Sequence, residues 1–365
     1  MQMKPNLLHL LALTYIPGMG VANAKKILKV IDDPEIIWQM NEKELNRIFR
    51  NKKDFIPHIL NQSPLRLAEK EIIFAEKHNI EMILNSSADY PQKLRQCSDA
   101  PLVLFKKGKH DFNKNLHIGI VGTRKMTHYG KTFIDNLISD LSTQNITIVS
   151  GLAYGCDIIA HQSAIKHDLP TIAVLAHGLN KIAPAAHKKD AESLQKNGAL
   201  VSEYSTFHKP EPLNFILRNR IIAGLCDAVI VVESDVKGGS LATAMYANSY
   251  NREVFAVPGR IDDKYSLGCN HLIQNNQAYL IRNAEDLLNY FNLKLNPKPV
   301  QKELFIELNT DEEIIYNFLM KKGKQQIDQL ATELEIPTFK LNGILLNLEL
   351  KGIVKPLSGK FFEIK

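Results

Sequence analysis

No uncharged apolar run in this chain approaches the roughly 18 to 20 residues that a membrane-spanning helix needs. The first residues also lack the order of charged, apolar and small-residue segments that marks a secretory leader. A soluble cytoplasmic protein is expected, with no membrane partner. Cysteine is scarce: four, at positions 97, 156, 226 and 269, with no C-x-x-C pair. That spacing excludes a disulfide framework and offers no zinc site, so buried reduced thiols are expected. The dinucleotide fingerprint G-x-G-x-x-G is missing as well. Gly119-x-x-Gly122 is its nearest approach, and no acidic residue closes the following strand to hold a ribose hydroxyl, which argues against a dinucleotide oxidoreductase. Neither a cofactor nor a metal is expected.

Charge of one sign is also in short supply. The net charge is +6 over 365 residues. Residues 1–110 hold 17 basic and 12 acidic side chains, residues 111–299 hold 19 and 17, and residues 300–365 hold 9 and 10. Such a balance permits a polyanion in a local pocket without a broad basic face.

What is present is a series of βα units between His117 and Ala278. Runs starting at His117, Thr147, Thr171, Ala199 and Ala228 are nearly continuous in β-branched and other apolar residues. Strands buried on both faces have that composition, so an α/β fold is expected: a Rossmann-like, doubly wound, mostly parallel sheet covered by helices. Ligands of such sheets bind beyond the strands' carboxyl ends. Ahead of it, residues 1–80 read as a helical domain of SAM or helix-hairpin-helix type, with the main domain over 81–291. Residues 292–309, with Pro297 and Pro299, read as a linker. Residues 310–365 read as a winged helix: three amphipathic helices and a wing around Ser358-Gly359. Its third helix carries only Lys340 before Lys351, too few cations for groove binding, so a protein-contact role is expected for it.

The turns carry the chemistry. Gly122-Thr123-Arg124 ends the first strand, and a guanidinium there projects into the ligand crevice, where it can fork onto a phosphate. Ser150-Gly151 ends the second, before a helix expected near Asp157; Asp157 and His161 are read as helix-capping and hydrogen-bonding residues. Arg218-Asn219-Arg220 is placed in the first turn of a helix, where cations oppose the dipole unless an external anion is shared. Gly238-Gly239-Ser240 opens a further helix with free amides and a hydroxyl. Near the front, Gly18 and Gly20 lie between two helical segments with Lys25 following. That turn suits either a phosphate grip or a tight bend in a bundle.

These residues, in this order, resemble the DNA processing protein A family, usually called DprA or Smf. The likeness covers roughly residues 118–283 and rests on Ile-Val-Gly-Thr-Arg124, Ser150-Gly-Leu-Ala-Tyr-Gly155, Ala160-His161, Gly178-Leu179, Ser202-Glu203, Arg218-Asn-Arg-Ile-Ile-Ala-Gly-Leu225, Gly239-Ser-Leu241 and Arg252-Glu-Val-Phe-Ala-Val-Pro-Gly259. It implies a non-enzymatic protein that binds single-stranded DNA, forms a homodimer through the Rossmann-like domain and loads the RecA recombinase in natural transformation. It also implies a DNA pocket using Arg124 and the basic residues Lys188 or Lys189. Asn180 stands where the family has aspartate, Ala183 where tyrosine precedes Pro184, Ile216-Leu217 where a proline-containing pair is usual, and Gly238 where serine is frequent.

The expected phosphate site is thus Gly122, Thr123, Arg124, Ser150, Gly151, Gly239 and Ser240, with Lys188 and Lys189 for charge and Asn219 and Arg220 as a wall. Gly18, Gly20 and Lys25 are the candidates for an additional contact. The rival class is a phosphoribohydrolase-like enzyme or nucleotide sensor, since the Gly-Gly helix start resembles that group too. The carboxylate such an enzyme needs is missing from the helix that should carry it, because no acid occurs between Asp235 and Glu253. No catalytic residue is therefore expected.

Overall fold

The computed structural model describes residues 6–31, 33–50, 52–208, 211–294 and 308–364. They form two compact units, Met1–Asn296 and Pro297–Lys365. Most of the linker proposed over 292–309 lies outside the described residues.

The first unit begins with helices α1 (Leu7–Thr14), α2 (Val21–Leu28), α3 (Pro34–Gln39), α4 (Glu42–Ile48), α5 (Ile56–Leu60) and α6 (Ser63–Lys77). Then come β1 (Glu81–Leu84), α7 (Gln92–Arg95), β2 (Val103–Gly108), β3 (Leu116–Val121), α8 (His128–Leu141), β4 (Ile146–Ser150), α9 (Cys156–Lys166), β5 (Thr171–Val174), α10 (Lys188–Leu194) and β6 (Ala199–Ser202). The remainder is α11 (Pro212–Leu225), β7 (Ala228–Val231), α12 (Gly239–Ser249), β8 (Glu253–Ala256), α13 (Leu267–Gln274), β9 (Tyr279–Leu280) and α14 (Ala284–Tyr290).

Among the described residues the strands make one sheet in the order β1-β2-β6-β5-β4-β3-β7-β8-β9. It is parallel from β6 to β9, and β2 pairs antiparallel with both β1 and β6. The five strands expected from composition are there; β8, Glu253–Ala256, which that reading leaves out, extends the parallel part. From β3 the chain winds outward through β4, β5 and β6, then returns through α11 to place β7 on the other side of β3. That reversal opens a crevice between the carboxyl ends of β3 and β7, where open α/β sheets take their ligands.

Packing is continuous across residue 80. Leu11, Ile37, Ile59 and Ile72 from the front helices share one buried cluster with Phe105, Leu152, Ile158 and Leu175 from the sheet domain. Short helices with one apolar stripe each need such a partner surface.

The second unit contains α15 (Thr310–Lys322), β10 (Gln325–Gln326), α16 (Ile327–Leu334), α17 (Thr338–Leu350), β11 (Val354–Leu357) and β12 (Phe361–Ile364), arranged as the winged helix the sequence predicts. Asn309 and Glu312 cap its first helix reciprocally. Leu319, Leu330, Leu341 and Leu345 form its own core.

Candidate nucleic-acid interface

Three loops meet at the crevice. The loop after β3 is tied to the strand beside it: the Thr123 amide donates to the Glu233 carbonyl at 2.7 Å, and the Thr127 amide and hydroxyl both donate to the buried Glu233 carboxylate. Gly122 sits so close beneath that a Cβ would lie 2.9 Å from the Cys156 Sγ and 3.0 Å from the Glu233 carbonyl. A turn held at both ends carries Arg124 outward. Its guanidinium has no acidic partner among the described residues and lies 6.0 Å from the centre of the Phe215 ring, close enough for a cation–π contact.

The loop after β4 is built around Arg218. This buried guanidinium donates to the Gly151 carbonyl at 2.6 Å and to the Val174 carbonyl, joining the ends of β4 and β5. Gly151 is glycine because a Cβ there would stand 2.4 Å from that guanidinium. Gly155 adopts a left-handed φ of 75° where a side chain would strike the Thr123 carbonyl. Asp157 accepts from the Ala153 amide at 3.3 Å; burial raises its pKa, opposed by the neighbouring Arg218. Asp157 is not the helix cap expected: Gly155 holds that position without a side-chain bond, and Asp157, the second residue of α9, ties the helix back to the loop before it. His161 likewise serves packing, its Nδ1 2.7 Å from the Thr171 hydroxyl.

The loop after β7 ends at Gly238, which caps α12 through its backbone alone. The Ser240 hydroxyl donates to the Ser234 hydroxyl at 2.8 Å. Gly239, by contrast, has nothing within 4 Å of where a Cβ would be. Its missing side chain leaves the cleft open at the positive end of a helix with no acid in its first turn.

Together these loops enclose a cleft of about 280 Å³ lined by Gly122, Thr123, Arg124, Asn219, Gly239 and Ser240, among others. It adjoins a wider space of about 670 Å³ that shares Arg124, Tyr154, Phe215 and Ile216 and adds Gly151, Ala183 and Pro184. Asp157 and Asp235 are also on the cleft wall. Asp235 is countered by Lys264 at 3.4 Å, and Asp157 is turned to backbone amides, so neither stands as a free negative charge facing Arg124.

Several expected residues are placed elsewhere. α11 starts at Pro212, so Arg218 and Arg220 lie well past its first turn, and the argument from the helix dipole does not hold for them. Arg220 leaves on another side of the helix, paired with Glu203 and reaching the Asp99 carbonyl at 2.6 Å. It is not a wall of the cleft. The Ser150 side chain is fully buried and donates to the Ile120 carbonyl at 2.6 Å, which makes it a strand tie and not a ligand. Lys188 and Lys189 are exposed at the start of α10 and do not line the cleft.

At the front turn the amides bond within the turn itself, Gly20 to Gly18 and Met19 to Ile16. The Lys25 ammonium donates to the Ser98 carbonyl at 2.9 Å. Gly20 lines a different cavity, of about 540 Å³, with Asp99, Glu203 and Arg220. This turn docks the helical segment on the sheet domain. Conversely, Tyr154 and Phe215, which the sequence reading leaves out of the site, line it. Phe215 and Arg218, together with Asn219, share one face of α11 at helical spacing, a signal legible once Pro212 is taken as the first helical position.

Comparison with known proteins bears on the family and the fold. Residues 81–292 match the family model for DNA recombination-mediator protein A, and residues 306–360 match the DprA winged helix domain. Protein Smf of Escherichia coli strain K12 is 33% identical over 308 residues, 83% of this chain and 82% of that protein. DNA processing protein DprA of Bacillus subtilis strain 168 is 42% identical over 212 residues, 58% of this chain and 71% of that protein. The X-ray structure of DprA from Streptococcus pneumoniae superposes with a TM-score of 0.69 at 32% identity, covering 79% of this chain and 98% of that one. A structure of DNA processing protein A from Helicobacter pylori, described for its single-stranded DNA binding mode, aligns with a TM-score of 0.53 at 30% identity over 58% of this chain and 95% of that one. This chain belongs to the DNA processing protein A (DprA/Smf) family.

Proposed function

We propose that this protein binds single-stranded DNA by its phosphates in the cleft between β3 and β7, and that it serves in DNA processing during natural transformation. The observation that carries this reading is Arg124: an exposed guanidinium without an acidic partner among the described residues, held at the mouth of a cleft whose glycines keep the backbone accessible. The Thr123 hydroxyl and the backbone of Gly122, Gly239 and Ser240 line the cleft with it, and Asn219 closes one side. Lys188 and Lys189 act as outlying charge along the path of the strand. Tyr154, about half exposed, and Phe215 offer ring faces on which unpaired bases stack without regard to sequence. Contacts of this kind hold phosphates and read no base edges, so binding is sequence-tolerant and falls steeply with salt. The single-stranded DNA bound by the Helicobacter pylori relative supports the same substrate class. Delivery of the strand to RecA by a homodimer is part of the same proposal, and membership in the family supports it.

The test is a gel-shift titration of an unstructured oligonucleotide against wild type and Arg124→Ala at two salt concentrations. Wild type binds more tightly at low salt, and the variant loses about tenfold or more, as removal of a charge-assisted phosphate contact requires. Equal binding by both proteins removes the cleft from the account. α12 offers no carboxylate to a sugar. Release of free base from a nucleoside monophosphate, measured in parallel, would restore the hydrolase reading.

A further inference from the structure

A second basic groove lies on the helical layer beside the cleft. α8 starts at His128, four residues past Arg124, and α9 starts at Cys156, two residues past Tyr154, so both helices spring from loops that line the cleft. Each follows a parallel strand back from its carboxyl end, and the two run side by side away from the site. Between them is a groove of about 350 Å³ lined by His128, Lys131, Asp135, Gln162, Ser163 and Lys166, among others. From His128 to Asp135 the helical rise gives it a length of about 10 Å.

The groove's charge is unbalanced for a specific reason. Asp135 is the one carboxylate among its lining residues. It already accepts from Lys166 at 2.8 Å and from Ser163 at 2.9 Å, and His167 stands 3.2 Å away. Lys131, one helical turn from Asp135, is exposed with no acidic partner among the described residues, and exposed His128, its Nε2 3.5 Å from the Thr132 hydroxyl, stands one turn before it. An isolated surface lysine is ordinary, but this one lines a concave surface whose two walls, α8 and α9, start from the loops that line the cleft.

Resting on the cleft reading above, we propose that the groove between α8 and α9 carries the sugar-phosphate backbone of the same single strand beyond the cleft, with Lys131 as its phosphate ligand and His128 as a flanking donor; the Gln162 amide is engaged by Asp190 at 3.1 Å. Charge complementarity and continuity with the cleft favour a nucleic-acid backbone as occupant. Lys166, engaged by Asp135, lends field but no free ammonium.

The experiment measures affinity of the full chain for oligothymidylates of about 4 and about 20 nucleotides, bracketing typical single-strand site sizes. Lys131→Gln is expected to weaken the longer ligand about five- to tenfold at ~50 mM salt, to lower the salt slope by about 0.7, and to leave the shorter ligand unchanged. Lys131→Arg retains wild-type binding of both. If Lys131→Gln binds the long strand like wild type while Arg124→Ala does not, the groove is idle and the cleft reading stands. If Arg124→Ala also binds like wild type, both fall. Equal weakening of short and long ligands by Lys131→Gln would place the lysine's effect in the cleft and overturn the proposal.

Discussion

A Cβ on Gly151 would lie 2.4 Å from the Arg218 guanidinium, whereas one on Gly239 would meet nothing within 4 Å. The two positions lack side chains for opposite reasons, packing at the first and access at the second. Gly151→Ala therefore forces the buried Arg218 off the Gly151 and Val174 carbonyls and costs on the order of 2 kcal/mol, read as a drop in urea midpoint. Gly239→Ala fits the fold and, at the start of a helix, stabilises by about 0.4–1 kcal/mol. Its methyl group occupies the cleft, so affinity for single-stranded DNA falls while stability does not. Unchanged affinity in that variant would mean that no phosphate approaches the backbone of α12. Arg124 and Arg218 divide in the same way: one guanidinium is exposed and has no acidic partner among the described residues, the other is consumed by two carbonyls.

Between elements, three buried histidines hold strands to their neighbours in the neutral form. His117 on β3 and His110 just before it approach Nε2 to Nε2 at 3.2 Å, a contact that tolerates one shared proton and not two charges. On α9, the His161 Nδ1–H donates to the Thr171 hydroxyl of β5, which in turn donates to the Ile148 carbonyl of β4 at 3.0 Å. Burial pushes His110 down to about 4 and both His117 and His161 down to about 3. With an ordinary value of 6.5, the unfolded chain takes up protons below that pH which the folded chain refuses, so stability falls as pH drops from about 6.5 toward 4. The slope is about 1.4 kcal/mol per pH unit for each histidine, or roughly 2 kcal/mol each by pH 5. Asp135, held near 2 by Lys166, Ser163 and His167, adds a loss only below about pH 4. Urea midpoints at pH 7.5 and pH 5 check this, and His161→Gln should flatten the dependence. A midpoint indifferent to pH over that range would show that these imidazoles accept protons in the folded state.

At the scale of the whole molecule, each compact unit has its own core: the clusters around the sheet in one, and Leu319, Leu330, Leu341 and Leu345 in the other. A chain ending at residue 296 should therefore bind single-stranded oligonucleotide within about twofold of the full chain, because cleft and groove lie wholly in the first unit. The winged-helix unit alone should not retain duplex in a gel shift, as α17 carries Lys340 as its sole cation. A large loss of single-strand affinity on truncation would assign binding to the second unit. The sequence by itself determined the β-branched strands, the capped helices of the winged unit, the glycine turns and the arginine at the end of β3, since each depends on neighbours within a few residues. Only the tertiary structure decided where long side chains go. Arg220 is drawn to Glu203, Lys25 to the Ser98 carbonyl and Thr127 to Glu233, partners 17, 73 and 106 residues away. Periodicity tells which face of an element is apolar, but a charged head settles on whichever carbonyl or carboxylate the fold brings within 3 Å, and that partner belongs to another element.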